Sequence, residues 1–258
     1  MKLFNNKMLM GFLTLTSGIG FIVGCAHKND VLPISASTSV IINHGNRIHL
    51  PGAAGDTTKW KFDKVHSAVN WSTPYDGVGA TLTGKFNQFG LADISTSQMQ
   101  NYVTAGQALP DTSWAFYENQ PKKIHFSGYV QINQVNTGEP GRDAGCLIST
   151  FGTTPIVAGT QNLTVSNVAL IKTTSVDFDP LSNSYLATFN FTWQGKLSAP
   201  FTKSIVGKLS YIPAATTGTH KEFGLNLKFQ INCRDFGITS TSVADIITIE
   251  VSTNFNNQ

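Results

Sequence analysis

The chain has 258 residues, of which 41% are apolar, 10% aromatic and only 13% charged. This composition excludes a disordered or fibrous chain and suits one folded, β-rich domain. The formal net charge is +3, and it falls to about +1 (3 − 2) if Lys2 and Lys7 are removed with the leader described next. A nearly neutral charge does not favour the clustered basic face of a nucleic-acid-binding protein, so we expect no nucleic-acid partner.

Residues 1–24 have the layout of a secretory signal peptide, with two lysines before an apolar run that ends at Val23. The segment is too short and too poorly flanked for a resident membrane span. Its end, Ile22 to Cys25, resembles the lipobox of bacterial lipoproteins, in which the cysteine becomes the lipid-modified first residue. We therefore predict a lipidated Cys25 in the bacterial cell envelope. The alternative is an ordinary signal peptide with a chance cysteine.

Residues 25–55 show no sustained hydrophobic period and include the segment from Pro51 to Gly55. We interpret them as the lipidated N-terminus and a flexible tether. Ala26 follows the cysteine as in outer-membrane lipoproteins, so we expect anchoring at the outer membrane, with the periplasmic or surface side left open. The folded domain is expected over residues 56–258.

Eight segments of the folded domain alternate between apolar and polar residues. The longest regular one starts at Phe223, and its period of two is typical of a strand with one buried and one solvated face. The eight apolar series span Trp60–Trp71, Ala80–Phe86, Ile124–Ile132, Leu163–Phe178, Tyr185–Trp193, Phe201–Tyr211, Phe223–Cys233 and Ile247–Val251.

The first series changes phase between Phe62 and Val69, which predicts a β-bulge near Asp63–His66. A bulge can turn a side chain toward the interior. His66 is therefore a candidate for a polar contact with a ligand. The alternative is a histidine satisfied by the neighbouring backbone.

Eight long strands in an open sheet would leave two unpaired edges, and closure into a barrel removes both. We predict an all-β fold, an eight-stranded antiparallel β-barrel with its apolar faces inward. At this strand number the interior is either filled by side chains or wide enough for one small ligand. Ser97–Leu109 and Glu139–Phe151 are expected to form a short helical or loop cap over the barrel mouth.

Signatures of catalysis are missing from the sequence. The six histidines show no metal-ligand spacing, and there is no Gly-x-Ser-x-Gly elbow, phosphate-binding loop or dinucleotide fingerprint. No nucleophile has an evident activating partner. We expect no enzymatic activity, no metal and no catalytic cofactor.

Two of the three arginines precede an aspartate and lie near a cysteine, in Arg142–Asp143 with Cys146 and in Arg234–Asp235 with Cys233. Arginine beside aspartate at a strand end usually holds a loop by charge-assisted hydrogen bonds, so we assign both pairs structural roles. By parity Cys233 points inward, where a cap carrying Cys146 can reach it. The two cysteines form either a disulfide or two buried free thiols.

Four short motifs stand in order across residues 60–251. They are Trp60-Lys61-Phe62-Asp63-x-x-His66-Ser67-x-Val69, Gly84-Lys85-Phe86-x-x-Phe89, Gly141-Arg142-Asp143 and Arg234-Asp235-Phe236-Gly237-Ile238. Together they resemble the YceI family of bacterial exported proteins. That family is similar to the lipocalins in shape, so the resemblance implies a lipocalin-like barrel that binds a long isoprenoid or a related amphiphile such as a quinone.

The chain departs from the family pattern at the expected cap. Gly145 stands where the family usually has a histidine, Cys146 replaces a leucine, and extra residues precede Leu163. Because these changes cluster at the cap, they leave the identity of the ligand open.

The expected function is that of a non-catalytic carrier or store for an elongated amphiphile, a polyisoprenoid or quinone-like lipid. The alternative is a barrel with a filled interior that acts as an envelope structural or protein-interaction module. The expected partners are the lipid, the membrane through the N-terminal anchor, and a second copy in a possible homodimer. Beside His66, the candidate ligand-binding residues are Phe62, Phe126, Val130, Phe189, Phe191, Trp193, Leu225, Leu227, Phe229 and Ile231.

Overall fold

The structure is a computed structural model that describes residues 60–75, 79–96, 114–117, 120–158 and 163–258. The predicted signal peptide, Cys25, the tether over 25–55 and the Ser97–Leu109 part of the expected cap lie outside the described residues. Within the described ranges, no helix is both long enough and apolar enough to cross a membrane.

Antiparallel strands dominate the described part of the chain, as the alternating pattern predicts. Short helical turns lie at Pro121–Lys123, Ile132–Gln134, Arg142–Cys146 (a π-helical turn) and Cys233–Phe236, and one short α-helix, α1, spans Leu147–Phe151. The strands are β1 (Lys61–Pro74), β2 (Thr81–Phe86), β3 (Phe89–Gly90), β4 (Trp114–Ala115), β5 (His125–Gln131), β6 (Val135–Asn136), β7 (Val168–Asp179), β8 (Ser184–Trp193), β9 (Phe201–Thr217), β10 (His220–Asn232) and β11 (Ile246–Asn256).

The sheet closes into a barrel because the two strands at one edge, β3 and β5, belong to the same chain segments as the two strands at the other edge, β2 and β6. Its order is β3-β5-β7-β8-β9-β10-β11-β1-β2-β6. The consecutive strands β2 and β3 form one interrupted strand, as do β5 and β6, and the two pair along both of their pieces. Backbone hydrogen bonds span the interruption, from Asn87 N to Gln134 O at 3.0 Å and from Gln131 N to Gln88 O at 2.8 Å.

Counted this way, the described chain forms eight long strands, and the short β4 pairs with β5 as an addition. The prediction of an eight-stranded antiparallel, lipocalin-like barrel is confirmed. The larger number of separate strands arises where helical turns and irregular residues interrupt the pairing.

The predicted β-bulge lies in β1. Asp63 pairs with Asn254 and Ala68 with Ser252, so five residues of β1 advance against two of β11. Before and after the bulge, Phe62 and Val69 both pack against the same interior core. Because the bulge adds extra residues, the alternation changes phase within β1 and still turns both Phe62 and Val69 inward. This change of phase is what the sequence pattern reveals.

An aromatic cluster fills one end of the barrel, around the start of β10. The rings of Phe223 and Phe255 are stacked, with centroids 4.6 Å apart and an interplanar angle of 7°. Trp60 meets Phe223 edge-on at 4.8 Å, and Trp114 lies 4.4 Å from Phe255. These contacts close the barrel next to the point where the described chain begins.

The opposite end is covered by the π-helical turn and α1, in agreement with the helical cap predicted over Glu139–Phe151. α1 ends at Gly152, which has a left-handed φ of 70°. The following residue pairs hold the cap to the barrel: Asn167 Oδ1 accepts from Thr154 N at 2.8 Å, and Asn133 Nδ2 donates to Thr154 O at 3.0 Å. Asn133 and Asn167 are almost fully buried, so these bonds are protected from water.

Glycines allow three loops to approach closely at the capped end. A Cβ on Gly152 would lie 2.5 Å from the carbonyl oxygen of Gly195, and a Cβ on Gly195 would overlap the carbonyl oxygen of Phe236. Gly195 also has a φ of 56°, which side chains rarely adopt. The backbones after α1, after β8 and after β10 therefore pack directly on one another.

Gly195→Ala should lower the free energy of unfolding by at least about 2 kcal/mol, since it combines left-handed strain with a backbone overlap. Urea denaturation of the two proteins measures the change. Gly145→Ala is the matched control, because Gly145 lies in a helical turn and a Cβ there meets nothing within 4 Å; it should not lower stability and should raise it by up to about 1 kcal/mol. Equal stability of the Gly195 variant and the wild type would contradict the packing of these loops.

Candidate ligand-binding site

A central cavity of about 80 Å³ lies inside the barrel beneath α1. Seven of the eight long strands contribute to its wall, and α1 adds Phe151. The wall is apolar because period-two strands in a closed sheet turn every second side chain inward. Among its described lining residues there is no charged side chain.

A second apolar cavity of about 50 Å³ lies next to the first. Leu91, Ile171, Val251 and Thr253 line both cavities. The two cavities follow one another along β10, which contributes Leu225 and Leu227 to the second and Phe229 and Ile231 to the first; this stretch of strand is about 20 Å long at roughly 3.3 Å per residue. The empty space is therefore elongated along the barrel.

Nine of the ten predicted apolar lining residues border these cavities. The tenth, Phe189, is fully buried and packs against Phe229, with ring centroids 4.9 Å apart, but it lines neither cavity. Phe62, Val130, Phe191, Trp193, Phe229 and Ile231 line the central cavity, and Phe126, Leu225 and Leu227 line the second.

Comparison with known proteins identifies the fold family. The family model described as the YceI-like domain matches residues 60–255. The chain belongs to the YceI-like domain family.

Several solved structures resemble this chain at low sequence identity. A Burkholderia cenocepacia protein, BcnA, is 14% identical, with 75% of this chain and 99% of that chain covered and a TM-score of 0.42. The Campylobacter jejuni YCEI protein is 15% identical, with 69% and 86% covered and a TM-score of 0.46. A polyisoprenoid binding domain from Saccharophagus degradans, implicated in plant cell wall breakdown, is 10% identical, with 78% and 99% covered and a TM-score of 0.39. A search of curated proteins gave no match.

Several lining residues of the YceI-like domain were not among the predicted ones. Trp71, Ile247 and Ile249 lie on the inward phase of their strands, so the alternating pattern could have identified them. Phe89 and Phe151 could not be found that way, because one follows a break in its strand and the other lies on α1.

His66 lies outside the barrel of the YceI-like domain, contrary to the prediction that the bulge turns it inward. Its side chain is 72% exposed, and its Nδ1 is 2.7 Å from Oδ2 of Asp63. Asp63 also accepts a hydrogen bond from Asn256 Nδ2 at 3.0 Å. The extra residues of the bulge project toward solvent, where this carboxylate holds the histidine, and His66 lines neither cavity.

Cys146 and Cys233 are free thiols, so the disulfide considered from the sequence is not formed. Cys146 is exposed on the π-helical turn, whereas Cys233 is fully buried and its Sγ lies 3.3 Å from the carbonyl oxygen of Ala244. The parity of the strand correctly indicates that Cys233 points inward, but the cap turns Cys146 toward solvent. Desolvation by burial raises the pKa of the Cys233 thiol, which keeps it protonated and unreactive at neutral pH.

Three of the four residues in the arginine and aspartate pairs, Asp143, Arg234 and Asp235, bind neighbouring segments through their side chains. Arg234 donates from Nε to Asp245 Oδ1 at 2.8 Å and from its terminal nitrogens to the carbonyl oxygens of Ile238, Ser240 and Val243. It therefore organises the whole connection between β10 and β11.

The other members of these pairs lie on nearby turns. Asp143 accepts hydrogen bonds from the backbone and hydroxyl of Thr137, and Asp235 pairs with Lys203. Arg142 is half-buried on the π-helical turn.

A wider groove of about 600 Å³ lies on the outer face of β1 and β2. Its floor carries short polar side chains together with Lys85 and Glu250, and it is broadly open to solvent. The described residues contain no cluster of three or more His, Cys, Asp or Glu that could hold a metal ion. The two apolar cavities inside the barrel are therefore the candidate site of the YceI-like domain.

The His66 and Asp63 pair makes the stability of the bulge depend on pH. The hydrogen bond and the charge of Asp63 raise the pKa of His66. Desolvation alone would raise the pKa of Asp63, but hydrogen bonds from His66 and Asn256 lower it overall. The raised histidine stabilises the fold below its unfolded pKa of about 6.5 and loses that effect as pH rises; the lowered aspartate contributes above its unfolded pKa of about 3.9.

His66→Gln should therefore lower the urea midpoint most between about pH 4 and 6.5, and the difference from the wild type should shrink at higher pH. The change should be small because His66 is exposed. In the Asp63→Asn background the His66 substitution should have the same effect at every pH. A wild-type advantage that grows with rising pH would contradict the pairing.

Proposed function

We propose that this YceI-like domain binds an elongated, mainly apolar amphiphile of the isoprenoid or prenylquinone type inside its barrel and does not change it chemically. The observation that carries the proposal is the pair of adjoining apolar cavities along β10. An apolar enclosure of this kind is poorly suited to water and favours a hydrocarbon guest. Affinity would come mainly from apolar area removed from water, at about 25 cal/mol per Å², less the cost of ordering the ligand.

The volume sets a condition on this proposal. The central cavity of about 80 Å³ holds more than a single water molecule but is smaller than a typical ligand pocket of roughly 300–1,000 Å³. A long ligand must therefore join the two cavities by moving the side chains that separate them. Leu91, Ile171 and Val251 line both cavities and are only partly buried, so these side chains have room to move.

The same small volume favours a second candidate function, a filled barrel that serves as an envelope structural or protein-interaction module. Aromatic side chains close the end around Phe223, and the cap covers the other end. In this alternative the cavities are packing defects of the interior.

Lipid extraction separates the two functions. Protein purified from its own host should release a prenyl lipid in near-stoichiometric amount, detected by mass spectrometry of the organic extract. Ala169→Leu should reduce that amount about tenfold or more, because Ala169 is buried in the cavity wall and a larger side chain there competes with the ligand.

Leu186→Phe is the matched control, since Leu186 lies half-exposed on the outer face of β8. It should carry as much lipid as the wild type. A wild-type extract without lipid, or an unchanged load in the Ala169 variant, favours the filled-barrel alternative.

We also propose that the domain is lipid-anchored in the bacterial cell envelope, at the outer membrane, through Cys25. The support is the lipobox-like end of the leader and Ala26 after it. Cys25→Ser should move the protein from the membrane fraction to the soluble fraction and abolish metabolic labelling with palmitate. An unlabelled wild-type protein would contradict the anchor without affecting the proposal for the barrel.

A further inference from the structure

β2 has a free edge over most of its length. It pairs with β6 only at Lys85 and Phe86, and no described residue pairs with Thr81–Gly84 on that side. The groove of about 600 Å³ on the outer face of β1 and β2 follows this edge. The sheet therefore has an unfilled strand position next to β2.

Asp143 holds the chain that follows β6 away from this position. Its carboxylate accepts hydrogen bonds from the backbone N–H and the hydroxyl of Thr137, at 3.0 and 2.6 Å. The next residue, Gly138, has a left-handed φ of 82°. The chain thus turns out of the strand direction, and Asn136, Thr137 and Gly138 form the far wall of the groove.

The backbone groups of Thr81 and Thr83 face the unfilled position. The carbonyl oxygen of Ala80 accepts from Tyr75 N at 2.6 Å, so Ala80 and every second residue after it direct their backbone groups toward β1. Asn87 N donates in the opposite direction, to the chain that leads into β6. Because these directions alternate along an antiparallel strand, the N–H and C=O groups of Thr81 and Thr83 point into the groove.

This edge lacks the residues that usually block pairing with another strand. Prolines and charged side chains protect exposed edges, and Thr81–Gly84 contains neither. Among the described lining residues of the groove, only Lys85 and Glu250 are charged. An edge without such protection is usually covered by another segment of chain.

A buried donor lies beside the same position. Among the described residues, Nε1 of Trp71 and Nε1 of Trp193 are the buried side-chain nitrogen or oxygen atoms that have no hydrogen-bond partner. Trp71 is only 3% exposed and borders the groove, and a Cβ on Gly84 would lie 2.6 Å from its Nε1. The indole therefore crosses β2, and a strand about 4.8 Å further on can supply the acceptor that this N–H lacks.

One segment before the barrel has the composition of such a strand. Residues 31–46 contain no aspartate, glutamate, lysine or arginine, which matches the uncharged edge. Within them, Val40, Ile41 and Ile42 are three consecutive β-branched residues, the type enriched in strands. Ser39 and Asn43 flank this run and carry side-chain acceptors.

The connection from this segment to the barrel is long enough to reach the groove. Residues 44–59 can span about 50 Å when extended. The path along β1 from Trp60 to Ser72, which lines the groove, is about 40 Å at roughly 3.3 Å per residue.

We infer that residues 38–43, which lie outside the described residues, bind in the groove as an additional β-strand paired with Thr81 and Thr83. Backbone hydrogen bonds to these two residues hold the segment, and an acceptor on it binds the indole N–H of Trp71. Docking leaves residues 26–37 as the free part of the predicted tether. Because the groove lies toward the capped end of the barrel, this end faces the proposed attachment point at Cys25.

Amide hydrogen exchange of the full chain, measured by NMR, tests the inference. The segment variant carries the two substitutions Val40→Asn and Ile42→Asn. The amides of Thr81 and Thr83 should exchange at least about tenfold more slowly in the wild type than in the segment variant, because an unpaired edge amide is open to water.

The matched control carries Val31→Asn and Leu32→Asn, the same kind of change outside the docking segment. Its two threonine amides should exchange as slowly as those of the wild type. The indole N–H signals give a second readout: the Trp71 signal should move upfield in the segment variant because its hydrogen bond is lost, and the Trp193 signal should not move.

Fast exchange of both threonine amides in the wild type would overturn the inference. Slow exchange that persists in the segment variant would also overturn it, because a second copy or another segment would then fill the groove. Neither result changes the lipid load of the barrel, so the proposed lipid-binding function is tested separately.

Discussion

Pairing between two interrupted strands closes this barrel. β2–β3 and β5–β6 hydrogen-bond on both sides of their interruptions, and Asn87 and Gln131 carry the backbone contacts across the gap. Without that pairing the molecule would be an open sheet with one apolar face exposed to water and two free edges. With it, the inward residues of seven strands and of α1 meet in one enclosed apolar interior.

The interior is divided by the size of its side chains. At the start of β10, stacked and edge-on rings around Phe223 close the barrel, whereas from Leu225 to Ile231 the inward side chains of the same strand border the two cavities. The capped end combines rigid backbone, through Gly152 and Gly195, with two buried indole donors. The site is therefore an uncharged, mainly apolar cavity whose capped end is held by closely packed backbone.

Much of the fold could be predicted from the sequence, because strand alternation depends only on local residue order. The alternating pattern predicts which side chains of β8 and β10 point inward, and the change of phase before Val69 locates the bulge. The orientation of His66 was not readable, since it depends on a hydrogen bond to Asp63 and on how the extra residues of the bulge project.

The parts of the site that escaped sequence analysis depend on contacts between distant segments. Phe151 reaches the cavity only because α1 folds over the barrel end, and the same fold turns Cys146 away from Cys233. Similarly, the sequence pattern predicts that Trp71 points inward. Only the structure shows that its indole N–H has no hydrogen-bond partner among the described residues, because this depends on the positions of Gly84 and Phe151 around it.

The most direct test of ligand binding is a crystal structure of the protein isolated from its own host without delipidation. The account predicts continuous elongated electron density along β10 that joins the two cavities. Two separate cavities without density, still divided by Leu91 and Ile171, would contradict it.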